Sequence, residues 1–215
     1  MSDPDVVVVD YGIGNLFSVC RALEYCGAKV QLASDAEAVF AAPRLVLPGV
    51  GAFSDGMAGL HKFGLVEAIC GAARRGTPVL GICLGMQMLL DASEEFGITA
   101  GLGLISGQVI PIPPTNIQGL KHKIPHIGWN NLVVSPGWGS WDATPLKFVQ
   151  PGESVYFVHS FMVEPLDPQH RVADCLYGGR KVSAAIGHEN VWGCQFHPEK
   201  SGEAGLRVLK GFLAQ

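Results

Sequence analysis

Residues 79–87 read Val-Leu-Gly-Ile-Cys-Leu-Gly-Met-Gln and place Cys83 between two glycines. The apolar run before Cys83 is typical of a short buried strand, and residues 86–90 continue as a helix. A side chain at such a turn sits on a tight, often strained backbone, where small neighbours such as Gly81 and Gly85 give the chain room. The stretch therefore predicts a nucleophile elbow, with Cys83 at a helix N-terminus that favours the thiolate. A buried cysteine filling an α/β core fits this window equally well.

Strand–helix alternation marks the first half of the chain. Residues 6–9 and 45–47 are continuous apolar runs, as expected for strands buried on both faces, and 30–32 is another short strand. Apolar residues at helical spacing cover 15–25, and Gly27 is a natural stop. This β-α-β-α order predicts an α/β fold with a doubly wound, mostly parallel sheet flanked by helices.

A long helical region is expected between the third strand and the cysteine strand. Ser54 is placed to cap its start, and the region extends to Arg75. Gly59 and Gly64 lie inside it, so we expect a break or kink near each of them.

The second half of the chain has a different character, with frequent Gly, Pro and Trp and shorter apolar stretches. These stretches predict added antiparallel strands in hairpins or meanders rather than βαβ units. They cover residues 109–110, 132–134 and 155–158. Residues 203–213 have helical spacing and predict a closing helix. Because no internal repeat or linker interrupts the sequence, residues 1–215 are expected to form a single domain.

Composition and charge narrow the functional classes. Hydrophobic residues make up 48% of the 215 residues and charged residues only 16%, which indicates a compact globular protein. The net charge of −4 and the lack of a basic run argue against nucleic-acid binding. No apolar stretch reaches the ~18 residues of a membrane span. The N-terminus also lacks signal-peptide features, so we expect a cytoplasmic protein.

Metal and cofactor sites are not predicted. The six cysteines are scattered without a C-x-x-C pair, which argues against both a disulfide framework and a zinc site. His122 and His126 are four residues apart, but Pro125 interrupts a helix that would align them. Residues 11–16 resemble the start of a dinucleotide fingerprint, but Phe17 occupies its last glycine position.

A cysteine nucleophile needs a base, and the base needs an orienting group. His197 stands in a Gln-Phe-His-Pro-Glu run. In an extended segment stiffened by Pro198, residues two apart project to the same side, so Glu199 can orient His197 towards the thiol. Cys83, His197 and Glu199 then form a triad in that chain order. A surface turn without a role is the alternative, and His159 is the second candidate base.

Residues 81–87 together with 197–199 resemble the signature of the class I, triad-type glutamine amidotransferases. Further windows are similar to the glutaminase subunits of imidazole glycerol phosphate synthase, and the likeness covers nearly the whole chain. These windows are Asp-Tyr-Gly-Ile-Gly-Asn-Leu at 10–16, Leu-Pro-Gly-Val-Gly-Ala-Phe at 47–53, Pro-His-Ile-Gly-Trp-Asn at 125–130 and Tyr-Phe-Val-His-Ser at 156–160. The Trp-rich stretch 136–144 departs from the family pattern.

The resemblance implies that the chain hydrolyses L-glutamine to glutamate and ammonia through a thioester on Cys83. Elbow geometry makes the N–H of Leu84 one oxyanion donor, and the resemblance puts the second at Val50. Gln87 lies one helical turn beyond Cys83 and is expected to bind the substrate's α-amino and carboxylate end, although a plain helix-surface glutamine is the alternative. Three more positions match substrate contacts of the family: Gly51, Ser160 and Phe161.

The resemblance also implies a partner in a heterodimer. The ammonia would pass to a (β/α)8-barrel cyclase subunit that makes imidazole glycerol phosphate and an aminoimidazole carboxamide ribotide in histidine biosynthesis. Asn15 and Lys181 are expected to face that subunit. Three alternatives remain at this point: the ammonia-supplying subunit of another synthase, a cysteine peptidase or chaperone-like protein, and a redox sensor in which Cys83 is oxidised.

Overall fold

A computed structural model describes residues 3–215 of the chain. The helices are α1 (Leu16–Tyr25), α2 (Ala36–Ala41), α3 (Phe53–Lys62), α4 (Val66–Arg74), α5 (Leu84–Met88) and α6 (Gly202–Leu213). The first strands are β1 (Val6–Val9), β2 (Val30–Ala33), β3 (Leu45–Gly49), β4 (Val79–Cys83), β5 (Ala92–Ser93), β6 (Thr99–Ala100) and β7 (Gly107–Pro111). The later strands are β8 (His126–Asn131), β9 (Val133–Val134), β10 (Ser154–His159), β11 (Phe161–Pro165), β12 (Arg171–Tyr177), β13 (Arg180–His188) and β14 (Val191–Cys194). Two 3-10 helices cover Pro168–His170 and Pro198–Lys200.

Eight of the described strands form one sheet in the order β2-β1-β3-β4-β14-β13-β12-β9. The pairs from β2 to β14 are parallel, and β13, β12 and β9 extend the sheet in antiparallel fashion. A four-stranded sheet (β11-β7-β5-β6) and the pair β10-β8 complete the second half. The predicted mostly parallel sheet with added antiparallel strands is therefore confirmed.

Helices cover both faces of the sheet because successive side chains of each buried strand point to opposite sides. On one face, Val7 and Leu47 pack in a core with residues of α3 and α4. On the other face, Val8 and Leu80 pack with residues of α1 and α6. This two-sided burial explains why the strands are apolar throughout, and it confirms the doubly wound arrangement.

The expected long helical region is two helices. Gly64 adopts φ +66° between α3 and α4, so the break there is confirmed. The kink expected at Gly59 is wrong, because Gly59 lies inside α3, where it allows close approach of the Tyr11 ring. The cap expected from Ser54 is also wrong: Ala52 is the N-cap residue and its side chain cannot accept a hydrogen bond. The carboxylate of Glu95 accepts the Phe53 N–H at 2.7 Å instead.

The helix after the cysteine is shorter than expected, because α5 ends at Met88 rather than at residue 90. The closing helix and the antiparallel strands of the second half agree with the sequence to within a few residues. None of the helices within residues 3–215 is long and apolar enough to cross a bilayer.

Candidate active site

Cys83 sits on the strained turn that the sequence predicts. Its backbone has φ 55° and ψ −110°, which is unusual for a residue other than glycine. A Cβ on Gly85 would lie 1.8 Å from the carbonyl oxygen of Leu47, and one on Gly81 would lie 2.6 Å from the Met86 nitrogen. Both glycines are therefore required by close packing, and the elbow geometry is confirmed.

Strand pairing brings the histidine segment to the cysteine. β14 lies parallel and next to β4, with Cys194 paired to Ile82. The carboxyl ends of the two strands therefore meet at one edge of the sheet, where sites of open α/β proteins collect. The segment that follows β14 carries His197 to the elbow, although the two strands are far apart in sequence.

His197 and Glu199 form a buried pair. Nδ1 of His197 lies 2.9 Å from Oε1 of Glu199, and their side chains are 3% and 1% exposed. The pairing agrees with the sequence prediction, but the extended backbone on which that prediction was based ends at His197. Pro198 starts a 3-10 helix directly after His197, and this tight turn brings the carboxylate back to the ring.

The buried ring of His197 favours its charged form. Burial alone would lower the pKa of His197, but interactions with Cys83 and Glu199 outweigh it and raise the pKa to about 9. Nε2 is buried and has no hydrogen-bond partner of standard geometry among the described residues. Apart from its interaction with Cys83, the proton on Nε2 is therefore not held by another group, and it is available for transfer near the sulfur.

A pocket of about 270 Å³ opens at the elbow, which is room for a small substrate. Seven of the residues predicted as catalytic, oxyanion-stabilising or substrate-binding line it: Val50, Gly51, Cys83, Leu84, Gln87, Ser160 and His197. Glu95, Pro125, Val158 and His159 complete the lining. The structure therefore brings the proposed nucleophile, base, oxyanion donors and most of the substrate contacts to one place.

Four predicted residues do not line the pocket. Glu199 stands behind His197, and Phe161 contacts the pocket-lining Gln87 through its carbonyl oxygen, which accepts a hydrogen bond at 3.3 Å. Asn15 precedes α1 and is half-buried, whereas Lys181 is exposed on β13. Their positions outside the pocket agree with a role other than substrate binding.

The turn that carries Val50 is fixed at both ends. On one side, the buried Tyr11 hydroxyl donates to the carbonyl oxygen of Pro48 at 2.7 Å. On the other side, Glu95 accepts the Phe53 N–H. Between these anchors Gly51 adopts φ +91°, and the Val50 side chain is 40% exposed. These two hydrogen bonds therefore hold the turn on either side of Val50.

Sequence reasoning missed two residues of this site, Glu95 and Gln195. Gln195 is fully buried, and its Nε2 lies 3.6 Å from Sγ of Cys83. Its position two residues before His197 was a usable signal for a side chain near the thiol. Nothing in the sequence around Glu95 indicates that its carboxylate reaches α3.

Two neutral histidines, His159 and His126, lie at the side of the pocket opposite the elbow. Burial lowers the pKa of His159 to about 3 and that of His126 to about 4. Nδ1 of His126 lies 3.0 Å from Nε2 of His159, whose Nδ1 lies 2.8 Å from the Phe161 carbonyl oxygen. A carbonyl oxygen only accepts, so His159 carries its proton on Nδ1 and donates it to Phe161. Its Nε2 is then an acceptor, and Nδ1 of His126 donates to it. His159 therefore lines the pocket as a structural group and does not act as the base.

Within residues 3–215, no three His, Cys, Asp or Glu side chains are grouped so that they could hold an ion.

The fold is that of the glutamine amidotransferases, a glutamine-hydrolysing class of enzymes. The family model described as glutamine amidotransferase class-I matches residues 7–215, and the chain belongs to that family.

Its relatives within the family are more specific. The chain is 55% identical over 208 residues to the imidazole glycerol phosphate synthase subunit HisH 1 of Legionella pneumophila (strain Lens), covering 97% of this chain and 98% of that protein. It is 45% identical over 207 residues to the HisH subunit of Geobacillus sp. (strain WCH70), covering 96% and 95%. The structure of PurLQS from Thermotoga maritima covers 97% of both chains with a TM-score of 0.73 at 22% identity, and so shares the fold.

Proposed function

We propose that this protein is the glutaminase subunit of an imidazole glycerol phosphate synthase, and that residues 1–215 act as one glutamine amidotransferase domain. One observation carries the chemistry. Cys83, on its strained elbow, shares a pocket with His197, and His197 is hydrogen-bonded to the buried carboxylate of Glu199. The identity to HisH subunits over nearly the whole chain supports histidine biosynthesis rather than another ammonia-consuming pathway.

The reaction begins with Cys83 as thiolate and His197 as imidazolium. Sγ attacks the side-chain carbonyl carbon of glutamine, and the N–H groups of Leu84 and Val50 stabilise the oxyanion. His197 then gives its proton to the departing nitrogen, which leaves as ammonia. Water attacks the thioester while His197 takes back a proton, and glutamate leaves as the thiolate is restored. Glu199 holds the ring in orientation through both halves of the reaction.

Substrate binding uses groups that the structure leaves free on the pocket wall. Both N–H groups of Gln87 already have partners, so Oε1 is the atom with which Gln87 accepts a hydrogen bond from the substrate's α-ammonium group. Glu95, which also lines the pocket and whose carboxylate accepts the Phe53 N–H, adds negative charge for the same group. The backbone of Gly51 and of residues 160–161 contacts the remainder of the amino acid.

The ammonia passes to a (β/α)8-barrel cyclase subunit in a heterodimer, with Asn15 and Lys181 facing that subunit. Ile127 and Trp129 support a protein partner, because both lie on one face of β8 and each is 59% exposed. The protein needs no cofactor and no metal, and it binds neither nucleic acid nor a membrane. All six cysteines are free, which fits the reducing cytoplasm as its location.

The test is a glutaminase assay of the purified chain, alone and with the candidate cyclase subunit and its nucleotide ligand. We expect weak activity alone and strong activation in the complex. A Cys83→Ser protein that folds and binds the cyclase should be inactive, and mass spectrometry of the wild type should detect a glutamyl thioester on Cys83. Turnover by Cys83→Ser would refute the mechanism. Equal wild-type turnover with and without the cyclase would refute the coupling.

A further inference from the structure

The side-chain amide of Gln195 touches the sulfur of the nucleophile. Gln195 follows β14, is fully buried, and is held through its backbone N–H, which donates to the Ala184 carbonyl oxygen at 2.9 Å. Its Nε2 lies 3.6 Å from Sγ of Cys83, which is hydrogen-bond distance for a sulfur acceptor. The triad mechanism assigns no task to this contact.

The orientation of the Gln195 side-chain amide follows from two linked hydrogen bonds, which connect it through Gln87 to the backbone carbonyl of Phe161. The Phe161 carbonyl oxygen can only accept, so Gln87 must present Nε2 to it, at 3.3 Å. The same Nε2 lies 3.1 Å from Oε1 of Gln195. Turning the Gln195 amide over would set two N–H groups against each other. Gln195 must therefore present Nε2, a donor, to the sulfur of Cys83.

We propose that Gln195 is a further catalytic residue, which stabilises the thiolate of Cys83 by donating an N–H that never titrates. This inference rests on the proposed glutaminase mechanism. His197 loses its charge when it protonates the departing ammonia and regains it only when water attacks the thioester, so its charge beside the sulfur changes during the reaction. The Gln195 amide keeps its proton throughout, and it stabilises the thiolate again when the thioester is hydrolysed.

Removing the donor should raise the pH at which Cys83 becomes reactive. A hydrogen bond to a charged group contributes on the order of a tenfold change in equilibrium, so we expect the alkylation midpoint of Cys83 to rise by about one pH unit in Gln195→Met. Gln195→Glu keeps the shape and the bond to Gln87 but replaces the donor with a carboxylate oxygen, and it should raise the midpoint further. In both variants kcat should fall about tenfold while KM changes little.

The experiment follows iodoacetamide labelling of Cys83 against pH by peptide mass spectrometry, which separates it from the other cysteines. Glutaminase activity is measured in the complex with the cyclase subunit. Gln31→Met, a change at an exposed position on β2, is the matched control and should leave both readouts unchanged. A merely structural role would lower thermal stability and folded yield without moving the midpoint.

Two outcomes would overturn the inference while leaving the proposed function intact. One is that folded Gln195→Met shows the same midpoint of Cys83 alkylation as the wild type. The other applies if Gln195→Met does not fold: the near-isosteric Gln195→Glu then shows the same midpoint of Cys83 alkylation as the wild type. Failure of the proposed function is distinct from both, because the wild-type complex would then lack glutaminase activity whatever the labelling shows.

Discussion

Replacing Tyr11 by Phe tests whether the hydroxyl of Tyr11, in the loop after β1, holds the turn that carries Val50. The phenol is 1% exposed, and its hydroxyl donates to the Pro48 carbonyl oxygen, two residues before Val50. Burial raises the pKa of Tyr11, so the hydroxyl remains a donor at every pH at which the enzyme works. The substitution removes that one hydrogen bond and keeps the ring in its place.

The size of the effect follows from the single bond that is lost. A buried hydrogen bond contributes about 1–1.5 kcal/mol, so Tyr11→Phe should lower Tm by about 2–6 °C in a chain of this length. If all of that free energy held the turn in its aligned position, its loss would reduce kcat by up to about tenfold. KM should change less, because the turn supplies a donor for the oxyanion rather than a contact to the resting substrate.

The assay combines thermal unfolding with glutaminase kinetics in the complex. Tyr25→Phe removes a hydroxyl from a side chain that is 72% exposed, and it should leave both Tm and kcat unchanged. If Tyr11→Phe has the stability and the kcat of the wild type, the hydroxyl does not hold the turn. A loss of Tm without any change in kcat would show that the bond is structural only.

Three further predictions follow from the elbow and the triad. Gly85→Ala should destabilise the fold strongly in thermal melts, since its Cβ would overlap the carbonyl oxygen of Leu47, whereas Gly139→Ala, with nothing within 4 Å, should melt like the wild type. Glu199→Gln should reduce kcat about 10²-fold or more and lower the pH at which His197 titrates by NMR; an unchanged titration would contradict the pairing. The pKa of His197 is raised to about 9 in the fold, so its contribution to the free energy of unfolding is full below about pH 6.5 and is lost as pH rises through 9. Urea unfolding should therefore show the wild type losing its advantage over His197→Asn between pH 6 and pH 9.5, and a constant difference would refute this.

The features that the sequence predicts well are set by neighbouring residues. The elbow is one, because the glycines that it needs lie two positions on either side of Cys83. The pairing of His197 with Glu199 is another, since both an extended segment and the 3-10 turn that starts at Pro198 keep these two side chains within reach. The buried strands are a third, because continuous apolar runs have few other places in an α/β fold. The single domain stays a prediction.

The features that the sequence missed depend on distant partners. The free Phe53 N–H at the start of α3 donates to the carboxylate of Glu95, more than thirty residues later in the chain. No local capping pattern could therefore have located the start of this helix. The contact of Gln195 with the sulfur depends on the sheet order that sets β14 beside β4. The short helix α2 was a different kind of omission, since Asp35 caps it through a side-chain bond to Ala38 that a capping search would have found.

The sheet order also has a consequence for biosynthesis. Cys83 and Gln195 are 112 residues apart, and His197 follows Gln195. At ribosomal speeds of about 5–20 residues per second, a nascent chain carries the cysteine for on the order of ten seconds before its base is made. During that time the outer edge of β4 has no neighbour, and the thiol has neither histidine nor amide beside it. In the finished fold β14 is both the neighbour that covers this edge of β4 and the strand that leads into Gln195 and His197, so one strand completes the sheet and brings these groups to the thiol.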